Sequence, residues 1–413
     1  MDSPVALVKT VILGVALRLG IQYLFPGFTD RVLATSIQLS TPVTSYKRLI
    51  EGLFLQKNGI SPYAGDIYHQ TPIFLLLCNA FEHLSPIYIT AVYSAVDAII
   101  AVLLARIARW KQNNPMLSRR FPGEERSDVS PHIVTAIYLF NPLTVATTLA
   151  RSTIVFSHLA VVMSLYLATK GLKTSSLAWA AIASHISVYP AILAIPISLY
   201  FSKQGLYLTD ALRSFATFAA VFAGIYVAFL AVYGSGFASS TFGFTFLVQD
   251  LQPNVGLYWY FFMEVFDEFR AFFLVVFHLV TFVFVVPVSW TYRHDFLFSS
   301  AMLLGLISTL KAYPEWGDFS LYLAFLPMYN ELVKSLKSLF TSVNLLLFGI
   351  ALSPAFWDLW IDKGSGNANF SYATTLLYAG GQIILLYDLG SAMLLRKLEL
   401  ENPEIRGKEV KQA

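Results

Sequence analysis

Ile87-Tyr-Ile-Thr-Ala-Val-Tyr-Ser-Ala-Val-Asp97-Ala-Ile-Ile-Ala-Val-Leu-Leu-Ala-Arg-Ile107 is the stretch whose reading sets the fold class. A run of about 20 apolar residues is what an α-helix needs to cross a ~30 Å hydrocarbon core. No water reaches the backbone at that depth, so its hydrogen bonds must close inside a helix or a closed barrel. The run is too continuous for the alternation of barrel strands, which leaves a helix. Asp97 sits near its middle, where a charge is costly and usually turned inward toward a partner.

Outward from this stretch, comparable apolar segments bounded by charge, Pro or Gly occur at 5–24, 131–150, 153–169, 211–233, 271–290, 296–311, 319–331, 339–357 and 372–395. A further pair falls within 175–201, broken near Pro190. The expectation is an all-α polytopic membrane bundle of about 12 helices forming one transmembrane domain over 1–413. Composition agrees: 56% of the 413 residues are hydrophobic and 13% charged, where a soluble domain carries about a quarter charged, and the mean hydropathy is +0.61. A net charge of +3 offers no electrostatic footprint for nucleic acid. The single cysteine, Cys78, lies in the apolar run 73–81 and reads as a buried, inert thiol. The run 5–24 contains Arg18 and lacks a small-x-small cleavage site before Pro26, so it reads as an uncleaved first span.

Lys and Arg cluster in the loop 106–126 (Arg106, Arg109, Lys111, Arg119, Arg120, Arg126) and in the tail 396–413 (Arg396, Lys397, Arg406, Lys408, Lys411). Smaller groups, Lys170/Lys173, Lys203/Arg213 and Lys334/Lys337, fall at turns of the same parity. The positive-inside bias places all of these, and both termini, in the cytosol. Four segments then face the lumen: 26–72, 234–270, 312–318 and 358–371, rich in Gly, Pro, Asn and aromatics. Loops of this kind carry function more often than the helices that hold them.

In the first of these loops, 45–57 has helical character and suits the membrane surface. His69 is an acid/base candidate with only Asp66 nearby, and a packed histidine is the plainer reading. The second loop holds the most informative segment, Asp250-Leu-Gln-Pro-Asn-Val-Gly-Leu-Tyr-Trp-Tyr-Phe-Phe-Met-Glu-Val-Phe-Asp-Glu-Phe-Arg270. At 100° per residue Glu264, Asp267 and Glu268 share one helical face, while Trp259, Phe262, Phe266, Phe269 and Phe273 share the other. That pattern suits an interfacial helix, either a platform for a lipid-linked substrate or a solvated connector. Lys311-Ala-Tyr-Pro-Glu-Trp-Gly-Asp318 gathers a cation, aromatics and acids at a membrane edge. In Gly364-Ser-Gly-Asn-Ala-Asn-Phe-Ser-Tyr372, Asn367 and Asn369 are amides suited to sugar hydroxyls and phosphate oxygens, or to capping the following helix. Asn369-Phe-Ser371 is also a glycosylation sequon, close to the membrane. The sequence has no phosphate loop, nucleophile–base pair or metal-ligand spacing, so neither a metal nor another cofactor is expected.

Four blocks carry a family resemblance. Ser45-Tyr-Lys-Arg-Leu-Ile-Glu-Gly52 with Gly59-Ile-Ser-Pro-Tyr-Ala-Gly65 and His69-Gln-Thr-Pro72 resembles the first lumenal loop of the PIG-U family. The segment 250–264, Lys311-Ala-Tyr-Pro314 with Gly317-Asp318, and 357–370 resemble later blocks of the same family, in order. That family is the multispanning subunit of the glycosylphosphatidylinositol (GPI) transamidase of the endoplasmic reticulum. The resemblance implies a noncatalytic subunit that helps bind the GPI lipid or the C-terminal attachment signal of the proprotein. Partners implied are a cysteine-protease-like catalytic subunit, accessory membrane subunits and membrane lipids. The expected contact set is Asn367, Asn369, Lys311, Tyr313, Asp318, Asp250, Asn254 and Glu264 on the polar side, with Trp259, Tyr260, Phe262 and Phe266 toward the lipid. The family is similar in fold to lumenal-face glycosyltransferases that use dolichol-phosphate sugars. Those carry a pair of acids early in the first lumenal loop, where Phe28-Thr-Asp-Arg-Val32 offers Asp30 alone. A mannosyltransferase-like enzyme would need a second acid, such as Asp66. A transporter is suggested only by Asp97 and the break at Pro190, and no internal repeat supports it.

Overall fold

The computed structural model describes residues 4–121, 124, 128–202 and 207–406. Of the basic residues named above, Arg126, Lys203, Lys408 and Lys411 lie outside the described residues, as does the end of the 396–413 tail. Among the described residues the chain is helical throughout, without a strand. Among the described residues six helices are long and apolar enough to cross a bilayer: Pro4–Leu24, Pro86–Asn113, Tyr207–Tyr233, Asp267–Thr291, Leu339–Asp362 and Ala368–Glu401. Pro131–Leu139 and Pro142–Leu149 make a seventh if read as one span bent by 53°. The bend has a local cause: the Asn141 side chain accepts from the Leu143 N–H (2.9 Å), and Pro142 has no N–H to continue the first helix.

The chain is a polytopic helical membrane protein, but its apolar segments are of two kinds. Only 6% of the apolar window of Tyr207–Tyr233 and 11% of that of Pro4–Leu24 is buried by the rest of the chain, so these helices leave their apolar faces open to a bilayer or to partner helices. Ile154–Thr169, Tyr189–Tyr200 and Phe296–Leu310 are too short to span alone. Phe296–Leu310 is buried along its whole length apart from Leu306 and Leu310. A helix apolar on every side is either a span or a core helix, which is why an apolar run alone counts both.

Packing is helix on helix. Leu339–Trp357 runs along Ala368–Glu401, and Ile154–Thr169 along Lys173–Ile186 and Pro86–Asn113. Gly349 and Gly381 allow that first close approach; a Cβ on Gly349 would stand 2.8 Å from the Tyr378 nitrogen. The charges inside the bundle find partners. Arg18 and Asp97, both fully buried, pair at 3.0 Å across Pro4–Leu24 and Pro86–Asn113. The Tyr138 hydroxyl donates to the same carboxylate (3.0 Å), as does Thr148, and Arg18 also donates to the Leu139 carbonyl (2.8 Å). Asp388 accepts from the Ser338 N–H (2.6 Å), satisfying the start of the helix Leu339–Trp357.

Candidate functional site

The four segments expected on the lumenal side meet in one layer. Ser45 caps the helix Tyr46–Lys57, and Gly52 lets that helix settle on the Tyr68 ring, which a Cβ would approach to 2.7 Å. The first loop reaches the bundle through the Thr153 N–H donating to the Thr44 carbonyl (3.0 Å), and reaches 312–318 through the Trp316 N–H donating to the Gln38 carbonyl (2.9 Å). It meets the second loop where the Arg48 guanidinium pairs with Asp250 (2.8 Å). The second loop joins 312–318 where the Tyr313 hydroxyl donates to the Asp250 carbonyl (2.9 Å). Asn254 folds its own turn by accepting from the Gly256 N–H (2.7 Å), and Gly256 lies so close to Pro314 that a Cβ would stand 2.5 Å from it.

Beneath this layer lies a buried charge cluster. The Lys311 ammonium holds Asp318 at 2.6 Å, and Asp318 in turn accepts from the Glu315 N–H (2.9 Å) in a capping box that opens the helix Trp316–Phe325. Glu315 is fully buried and accepts from the Ser152 hydroxyl (2.8 Å). Burial, and then the neighbouring Asp318 carboxylate, push the Glu315 acid up to about 8. Lys311 and Tyr313 face inward, lining with His69 and His185 a cavity of about 40 Å³, room for little more than a bound water. His69 is packed: its ring stacks on Phe244 with centroids 3.5 Å apart and bonds the Ser240 carbonyl (3.0 Å), and burial lowers its pKa. Cys78 is buried too, and burial pushes its thiol up to about 12.

The segment 258–270 is two helices where the sequence pattern reads as one. Tyr258–Glu264 ends at Val265, Phe266 is extended, and a new helix starts at Asp267, whose first turn carries Asp267 and Glu268 beside the positive end of the helix dipole. The break lets the two helices fold back on each other. Tyr258, Phe261 and Phe262 then pack against Phe277 with centroids 4.9, 4.8 and 5.3 Å away. Phe262 is thereby buried, and Trp259 is buried against Trp360 and Tyr372, while Glu264, Phe266 and Phe269 project outward, Phe266 at 74% exposure.

A rim of rings joins this segment to the last loop. Tyr260 stacks on Tyr372 (4.6 Å), Trp259 on Trp360 (6.3 Å), and the Tyr260 hydroxyl donates to the Asn369 side chain. The Tyr372 hydroxyl donates to the Leu257 carbonyl (3.2 Å). Asn367 and Asn369 are exposed, and Asn367 caps the helix Ala368–Glu401 by accepting from the Phe370 N–H (3.3 Å). Of the residues singled out from sequence, Asn367, Asn369, Glu264 and Phe266 are exposed and Tyr260 and Asp250 partly so. Lys311, Tyr313, Asp318, Asn254, Trp259 and Phe262 are buried behind them. The expected contact set leaves out Arg48, Glu315 and Trp360; Arg48 reads as one more surface charge until the fold sets it against Asp250.

Asp30, the lone acid early in the first loop, forms an ion pair with Arg151, which also donates to the Gln22 side chain (3.2 Å). Asp66 stands elsewhere, 3.8 Å from His69 and 90% exposed.

Comparison with known proteins follows the same lines. Residues 12–378 match the family model described as "GPI transamidase subunit PIG-U". The chain is 32% identical to the Saccharomyces cerevisiae "GPI transamidase component GAB1", covering 97% of each chain. It is 31% identical to the human "GPI-anchor transamidase component PIGU", covering 97% of this chain and 96% of the human one. A Dictyostelium discoideum "GPI mannosyltransferase 1" is 29% identical over only 36% of this chain and 31% of its own. With the family match and the full-length relatives agreeing from end to end, this chain belongs to the PIG-U family.

Proposed function

We propose that this chain is a noncatalytic subunit of a GPI transamidase in the endoplasmic reticulum membrane, holding the GPI headgroup and lipid beside the proprotein's C-terminal attachment signal. The relatives' names supply the complex, and the rim of Tyr260, Tyr372, Trp360 and Asn369 supplies the binding surface. That rim is the observation that carries the reading. It places exposed amides beside an aromatic face, a surface that hydrogen-bonds sugar and phosphate on one side and packs on apolar groups on the other. Lys311, Tyr313, Asp318, Asp250 and Asn254 fix the loops behind it, Trp259 backs the rings, and Phe262 holds the same helix through Phe277. Glu264 and Phe266 border it from the hinge. Catalysis resides on a separate cysteine-protease-like subunit, and accessory membrane subunits complete the assembly. Both termini lie in the cytosol, on the side of the basic clusters.

The test is photo-crosslinking of a labelled GPI precursor to benzoylphenylalanine placed at Tyr260 or Asn369 in the assembled complex, with Leu208, on a lipid-exposed helix (71% exposed), as control. Capture at 260 and 369 well above 208 is expected. Asn367→Ala/Asn369→Ala should lower capture about fivefold per lost hydrogen bond. Equal capture at all three positions removes the rim from the site. The mannosyltransferase-like alternative has the partial Dictyostelium likeness behind it. It predicts sugar transfer from a dolichol-linked donor by the purified chain alone, and the Arg151 partner of Asp30 weighs against it.

A further inference from the structure

About 40 Å from the rim along the helix Ala368–Glu401, a half-open cavity of about 530 Å³ is enclosed by the segment 115–119, the turn 291–295 and the helix end 393–401. Its apolar lining comes from Met116, Leu117, Met393 and Leu400. The apolar helix Asp267–Thr291 ends there with Trp290 half exposed and the Arg293 guanidinium 4.7 Å from its ring, the placement that Trp and Arg favour at a membrane boundary.

The charges around the cavity divide into those already engaged and those with capacity left. Arg396 is held by both oxygens of Glu124 (2.9 and 3.0 Å) and Glu331 by Lys111 (2.6 Å). Asp295 accepts from the Tyr329 hydroxyl and the Phe298 N–H, each at 3.0 Å. Among the described residues Arg119 reaches only the Leu400 carbonyl at 3.3 Å, and Lys397 only the exposed Glu401 carboxylate at 4.0 Å. Two cations with unspent donors thus stand over an apolar space at the interface.

We propose that this cavity binds one glycerophospholipid, its phosphodiester between Arg119 and Lys397 and its acyl chains against Met116, Leu117 and Met393. Basic pockets between membrane helices recognise lipid phosphates in this way. Glu401 beside Lys397 disfavours a second negative charge, so the site selects a singly charged phosphodiester over a polyphosphorylated headgroup. It is separate from the rim assigned to GPI, and its test is independent of that assignment.

The experiment uses the full chain purified with its copurifying subunits in mild detergent, loaded with radiolabelled dioleoylphosphatidylethanolamine and washed. Wild type retains one more lipid per complex than Arg119→Ala/Lys397→Ala, whose affinity at this site falls about fivefold per removed cation. Met393→Trp, which fills the apolar space and keeps both charges, loses the same lipid. Glu401→Gln should admit a phosphoinositide that wild type rejects. Soluble glycerophosphoethanolamine at equal concentration should not displace the lipid; displacement makes the site one for a free phosphate ester and overturns the proposal. Equal lipid retention by wild type, the double variant and Met393→Trp overturns it as well.

Discussion

Two buried carboxylates test the physics at the level of single residues. Asp97 is surrounded by Arg18, Tyr138 and Thr148, and removing it strands a fully buried guanidinium. Asp97→Ala should cost about 3–5 kcal/mol, read as a fall in the thermal midpoint of the detergent-solubilised protein, whereas Arg18→Leu/Asp97→Leu should recover most of the loss. No recovery in the double variant would mean the stranded guanidinium is not the source. Glu315 ties stability to pH. Its folded pKa, near 8, lies above the 4.5 of an unburied glutamate, so the folded form holds its proton more tightly. The stability it confers is full below about 4.5 and is lost as pH rises toward 8. Glu315→Gln should flatten the decline in thermal stability between those pH values, and an unaltered decline would assign the dependence to another group. Asp97 and Arg18 were legible as inward charges because they interrupt apolar runs. Glu315 was not, since a Pro-Glu-Trp-Gly stretch looks like open loop until Ser152 and the first loop close over it.

Turns and helix ends, rather than helix interiors, shape the elements that matter here. The hinge at Val265–Phe266 converts an expected amphipathic helix into a hairpin of rings, in which Tyr258 meets Phe277 edge-on and Phe261 and Phe262 pack against it at tilted angles. Gly256 is required where the second loop crosses Pro314. Gly256→Ala should destabilise by about 1–3 kcal/mol through overpacking. Gly224→Ala, on a helix where an added Cβ meets nothing within 4 Å, should leave the melting midpoint unchanged or raise it. Similar losses for both would mean that the close approach at Pro314 is unimportant.

For the molecule as a whole, the decisive feature is that segments hundreds of residues apart share one surface. Tyr313 ties two of them, donating to the Asp250 carbonyl and accepting from the Asp250 N–H (3.2 Å). Tyr313→Phe should cost about 1–3 kcal/mol and raise protease cleavage within 244–257 while sparing the apolar helices. Cleavage spread evenly over the chain would indicate general unfolding instead of a loosened layer. The same long-range assembly explains why headgroup candidates picked from composition divide into exposed Asn367 and Asn369 and buried Lys311 and Tyr313.

The order of residues settled the solvent this protein lives in, which stretches are apolar helix, and which loops carry unusual polar chemistry. Those properties follow from local hydropathy, Pro and Gly placement and charge, all of which act over a few residues. Which apolar helices face lipid and which are wrapped by protein emerged from the fold alone, as did the partners of Asp97, Arg48 and Glu315 and the side of the loop layer that stays open. Burial is a property of what packs against a residue, and in this chain the packing partners lie far along the sequence.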